Sequence, residues 1–142
     1  PAAVFRLRVP AALGSLRVLV VDDEATVREM LAAVLGAESH EVQLATGYED
    51  ALREIVADRF DVVLLDYRLP GRSGLDLADD LRRVDRSVAI ILMTGWGPAD
   101  EMPADSTVTV DFVATKPLDV PALLSLMRRA GALTVQRRRA QV

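Results

Sequence analysis

Cysteine is absent from the 142 residues of this chain, which excludes a disulfide framework and a thiolate metal site and fits a reducing, cytoplasmic compartment. No apolar run approaches the ~18 residues that a membrane-spanning helix needs, so no membrane partner is expected. A basic excess is missing as well: the formal charge is −4 and the pI is near 5.0. Nucleic-acid binding requires concentrated positive charge, so this segment is not expected to contact DNA or RNA. There is no internal repeat and no low-complexity stretch, and the opening residues lack the long apolar core of a signal peptide. Because the chain begins at Pro1 rather than methionine, it reads as a piece of a longer protein. What is present is apolar material, 51% of all residues. That suffices for one well-buried domain, in a chain too short for two ordinary ones.

After residue 15, short continuous apolar runs alternate with stretches of period near 3.6, the pattern of strands alternating with helices. Strands are predicted at about 16–21, 41–45, 61–65, 88–93 and 109–114. Val27, Met30, Leu31, Val34 and Leu35 fall on one helical face, and Tyr48, Ala51, Leu52, Ile55 and Val56 on another. Ser73 can cap a third helix carrying Leu77, Ala78, Leu81 and Val84 inward. Asp119 can cap a last one carrying Val120, Leu123, Leu124 and Met127. A fourth helix is expected between Gly97 and Val108, short or irregular because Pro98 and Pro103 interrupt it. The result is a (βα)₅ α/β domain whose parallel strands need right-handed crossovers, with helices on both faces of the sheet.

Three carboxylates lie at the ends of such strands. Asp22 and Asp23 terminate the apolar part of VLVVDDE at 18–24, and Asp66 terminates that of VVLLDYRLPG at 62–71. If the two strands are neighbours, the acids meet at one sheet edge, where they repel one another unless a hard divalent cation such as Mg²⁺ joins them. Thr94 and Lys116 follow two further strands. Ligands of open parallel sheets bind beyond the carboxyl ends of the strands, and all five residues stand there.

The strings VVDDE, DYRLPGRSG, IILMTGWG and DFVATKP recur in the order and with the separations of the receiver domain of two-component signalling. Asp23 precedes Asp66 by 43 residues, Thr94 follows 28 later and Lys116 another 22. The chain resembles that family over about residues 16–130. The resemblance implies a flavodoxin-like fold with strand order 2-1-3-4-5 and a phosphoacceptor function in which Asp66 takes a phosphoryl group from a phosphohistidine. The donor would be a histidine kinase or a histidine phosphotransfer domain. It further implies Mg²⁺, or Mn²⁺ in its place, held by Asp23, Asp66 and the carbonyl of Arg68, with Asp22 acting mostly through a water. Thr94 and Lys116 would contact the phosphoryl oxygens, and Lys116-Pro117 would be a cis peptide. As an enzyme, the domain would act only on itself.

Two departures from the family stand out. Where many receivers carry a mobile aromatic three residues before the lysine, this chain has Val113; Phe112, one residue earlier, should point to the other face by strand alternation. The thin fourth helix is the second. Segment 4–10, VFRLRVP, resembles the closing strand of a histidine-kinase ATP-binding domain, so residues 1–15 are expected to be an upstream segment or linker and the parent a hybrid kinase. Residues 131–142 are expected to form a basic tail in which Arg137 to Arg139, like Arg128 and Arg129, are solvated. His40 precedes a strand and reads as a solvated residue, so the phosphodonor lies outside this segment. Trp96, near Thr94, could control access to Asp66. The alternatives are a pseudo-receiver that binds partners without phosphorylation and an aspartyl-phosphate phosphohydrolase. The second is disfavoured by Arg68, which occupies the place of the expected general acid.

Overall fold

The computed structural model describes residues 15–95 and 109–141. Its elements follow the order β1 (Arg17–Val21), α1 (Ala25–Ala37), β2 (Glu41–Ala45), α2 (Tyr48–Ala57), β3 (Val62–Asp66), α3 (Gly74–Val84), β4 (Ala89–Thr94), β5 (Phe112–Thr115) and α4 (Val120–Ala140). All strand pairs are parallel, and the sheet order is β2-β1-β3-β4-β5. The helix expected between 97 and 108 lies outside the described residues, as do Trp96 and segment 4–10.

Central strands without alternation are covered on both faces, which is why β3 and β4 are buried at every position. On one face Leu19, Val21, Val63, Leu65, Ile90 and Leu92 pack against α2 and α3 through Ala51, Ile55, Leu77, Ala78 and Leu81. On the other, Val18, Val20, Val62, Leu64, Ile91 and Met93 meet Leu31 and Leu35 of α1 and Leu123, Met127 and Ala130 of α4. The helical stripes are narrower than the sequence suggests. Met30, Val56 and Val84, expected to face inward, reach the surface at 37%, 68% and 45% exposure.

Residues 131–140 are not a solvated tail; they continue α4. Thr134 is fully buried, donates to the carbonyl of Asp61 at 2.6 Å and accepts from the Ala89 N–H at 3.0 Å. Arg137 pairs with Asp111, and Arg138 pairs with Asp61 at 2.7 Å while donating to the Phe60 carbonyl at 2.6 Å. Arg82 of α3 joins the same Asp111 at 3.0 Å. Polar groups at the amino edge of the sheet are thereby satisfied from the last helix and, through Arg82, from α3.

The fifth strand begins later than predicted. Its approach is taken up by Asp111, whose carboxylate accepts from the Ile90 N–H at 2.9 Å and so replaces a strand pairing. His40 is half-buried rather than solvated: its Nδ1 accepts from the Leu16 N–H at 3.1 Å, and burial holds its pKa below the ordinary value against the pull of Glu38.

Candidate functional site

Strand alternation carries the α1/α4 face past the strand ends. In β1, Val18 and Val20 face that core, which puts Asp22 in step with them; Asp66 follows Val62 and Leu64, and Lys116 follows Phe112 and Ala114. The pairing β1–β3–β4–β5 sets these ends side by side. Asp22 is fully buried, Asp66 is 5% exposed, and the Lys116 ammonium lies 3.0 Å from Asp22 Oδ2 and 3.3 Å from Asp66 Oδ2. Asp23 is exposed beside them, and carboxylate oxygens of Asp22, Asp23 and Asp66 lie within 4.8 Å of one another. Thr94 ends β4 one residue beyond Met93, the cross-strand partner of Asp66, and is 6% exposed.

Backbone geometry holds these groups in place. The Asp22 carboxylate accepts from the Glu24 N–H at 2.9 Å, and the Arg28 guanidinium donates to the Asp22 carbonyl at 2.8 Å. Arg68 donates its N–H to Asp66 Oδ1 at 3.3 Å. Behind Asp66, Gly74 starts α3 against the loop: a Cβ there would lie 2.2 Å from the Asp66 carbonyl oxygen, so no other residue fits without moving the acid's backbone. Gly71 adopts φ 78°, the left-handed turn conformation that the Pro70-Gly71 pair suggests. Lys116-Pro117 is cis.

Electrostatics follow from this crowding. Burial, and after it the Asp22 carboxylate, push the Asp66 carboxyl up to about 6, against the opposing pull of Lys116 and the Arg68 N–H. Burial works against the charge of Lys116, yet its hydrogen bond to Asp22 and the charge of Asp66 hold its pKa above the ordinary value. One ammonium thus serves two buried carboxylates, with a third acid alongside. Three oxygen donors in such proximity, short of compensating positive charge, suit a hard divalent cation.

A cleft of about 560 Å³ opens over Asp66, lined by Asp23, Glu24, Arg68, Leu69, Pro70, Gly95 and Lys116. Sequence reasoning named Asp23, Asp66, Arg68 and Lys116 from this wall and missed Glu24 as a member of it. The signal was present in the third acid of VVDDE. Leu69 and Gly95 carry no such signal, since only the strand neighbourhood brings them to the cleft. Phe112 packs on the α1/α4 face with the Arg129 guanidinium 5.1 Å from its ring centre, while Val113 is 39% exposed on the other face. The alternation expected for this pair holds.

Among the described residues no helix is long and apolar enough to cross a membrane. The sequence matches the response regulator receiver domain family over residues 18–128. The phosphate regulon transcriptional regulatory protein PhoB of Pseudomonas aeruginosa is 38% identical over 120 residues, covering 80% of this chain and 52% of that protein. The response regulator MprA of Mycolicibacterium vanbaalenii is 34% identical over 113 residues, covering 80% of this chain and 49% of that protein. The chain thus spans about half the length of these relatives. They are regulators rather than hybrid kinases, and they lend no support to the kinase-attached origin expected from segment 4–10. Among solved structures, the response regulator TrrA of Thermotoga maritima in complex with Mg²⁺-BeF is 32% identical with a TM-score of 0.73, covering 80% of this chain and 97% of that one. NtrX of Brucella abortus superposes with a TM-score of 0.78 at 26% identity, covering 89% of this chain and 29% of that one. A match of this extent, on a sheet of order 2-1-3-4-5 with an acidic pocket and its lysine at the carboxyl edge, settles the family: this chain is a response regulator receiver domain, a phosphoacceptor module.

Proposed function

We propose that Asp66 is the accepting residue, and that it receives its phosphoryl group from the phosphohistidine of a histidine kinase or histidine phosphotransfer domain in the cytoplasm. The observation that carries this is its position: it is the one acid of the triad that lies under the cleft, ends a central strand and pairs with Lys116. A carboxylate is a weak nucleophile, but phosphoryl transfer depends chiefly on alignment and on neutralising the equatorial oxygens. Asp66 would form its bond to phosphorus as the bond to the histidine nitrogen breaks. Lys116 already sits within 3.3 Å of the acceptor carboxylate and can follow the charge onto the phosphoryl oxygens.

The residues present fit Mg²⁺, with Mn²⁺ as a substitute: Asp23, Asp66 and the Arg68 carbonyl would hold it directly and Asp22 through a water. When bound, the ion supplies the positive charge that lets the acceptor carboxylate and an anionic phosphoryl group approach each other. Thr94 can donate its hydroxyl to a phosphoryl oxygen only once that group has arrived, so its rearrangement is the proposed start of the switch. The domain modifies only itself. Arg68 stands where a phosphohydrolase would need its general acid, which disfavours turnover of free phosphomonoesters. A hybrid-kinase parent would show an ATP-binding domain encoded immediately before residue 1.

A phosphotransfer assay tests the assignment. A labelled phosphohistidine protein should pass its phosphoryl group to the domain in Mg²⁺, and neither to D66N nor to the wild type in the presence of a chelator. Equal labelling of D66N would contradict it.

A further inference from the structure

Transfer to Asp66 leaves one carboxylate of the cleft wall without a task. Glu24 stands at the N-cap of α1, where a side chain ordinarily accepts from the first turn, yet its carboxylate makes no capping bond. Its N–H is committed to Asp22. The side chain is exposed, lines the cleft beside Asp23 and Asp66, and among the described residues has no hydrogen-bond or ion-pair partner. Asp22 is buried with both carboxylate oxygens engaged, whereas Asp23 and Asp66 belong to the triad that suits a metal. Glu24 is therefore the acid of the wall that remains available to solvent entering the cleft.

We propose that Glu24 orients the water that hydrolyses the phosphorylated Asp66 and so sets how long the modified state lasts. This rests on Asp66 being the acceptor. In the step, the water oxygen bonds to phosphorus as the bond between phosphorus and the Asp66 oxygen breaks, and that electron pair stays on the Asp66 carboxylate. One proton of the water passes to Glu24 and from there to a phosphoryl oxygen. The product leaves as dihydrogen phosphate, and both carboxylates are regenerated. A carboxylate suits this work because it only accepts hydrogen bonds, so it fixes the water with its oxygen free to attack.

The test loads the wild type, E24A, E24D and E29A with acetyl phosphate and Mg²⁺, removes the donor, and follows loss of the phosphoryl group by intact mass. Glu29 is exposed on α1 outside the cleft, so E29A controls for the change in net charge. Decay is read on protein already modified, so differences in loading do not enter. E24A should decay about 100-fold more slowly, E24D should fall between E24A and the wild type, and added formate should speed E24A alone. A wild type that loads, together with an E24A that decays as fast or faster, overturns the role of Glu24 and leaves the acceptor assignment standing. A wild type that never takes up a phosphoryl group overturns the acceptor assignment, and this role with it.

Discussion

Without a bound cation, ionising Asp66 costs free energy, because the residue is 5% exposed and shares its one ammonium with Asp22. Its carboxyl is raised from 3.8 to about 6. A raised carboxyl contributes stability that is complete below the unfolded value of 3.8 and is lost as the pH climbs through about 6. Asn at this position is neutral throughout. In chelator, D66N should therefore be more stable than the wild type at neutral pH by about 2–3 kcal/mol, with the gap closing as the pH falls towards 4. Denaturant midpoints across that pH range check this, and Mg²⁺ should narrow the gap at neutral pH. Gly74 makes a second claim at this scale. A methyl group 2.2 Å from the Asp66 carbonyl oxygen must displace the loop, so G74A should lose about 2 kcal/mol or more and load more slowly with acetyl phosphate. Ser39 makes a milder one. It follows the C-cap of α1, Glu38, with φ 67°, and S39G should raise stability by about 1 kcal/mol, read as a shifted urea midpoint.

Among the elements, α4 departs furthest from its expected form. Its stripe of Leu123, Met127, Ala130 and Thr134 runs on past residue 130 through Gly131, which the helix keeps because a Cβ there would lie 2.7 Å from the Leu16 side chain. What the sequence does not reveal is where Arg137 and Arg138 go, since their partners Asp111, Asp61 and Asp85 come from loops far away in the chain. The central strands were legible because burial on both faces leaves a continuous apolar run. The acids were legible because charge interrupts those runs abruptly at Asp22 and Asp66. The helix rims were not, since Val56 and Val84 keep the period but stand where no neighbour covers them. Asp111 has its carboxyl held below the ordinary range: burial opposes its charge, but the Arg137 hydrogen bonds and the Ile90 N–H overcome that. D111A leaves Arg82 and Arg137 half-buried without their carboxylate and should cost about 3 kcal/mol. The loss should be full above pH 3.8 and shrink as the pH falls below it towards the depressed folded value, where the wild-type carboxyl at last protonates. Thermal unfolding of the variant across that range checks the sign.

Across the whole molecule, fold and site are one arrangement. The parallel order β2-β1-β3-β4-β5 brings residues from the ends of β1, β3, β4 and β5 to the same edge, while the charged network of α4 secures the opposite edge. A ligand that binds only the folded triad stabilises the fold by mass action. Mg²⁺ at ten times its dissociation constant should add about 1.4 kcal/mol, and D23N should lose most of that gain in a thermal-shift titration. The central claim is that this edge delivers a phosphoryl group to one carboxylate. Treatment with acetyl phosphate and Mg²⁺, followed by intact mass and peptide mapping, tests it most directly. A single base-labile adduct on the peptide carrying Asp66, absent in D66N and without Mg²⁺, is the predicted result. An adduct on another peptide, or one that survives D66N, would contradict it.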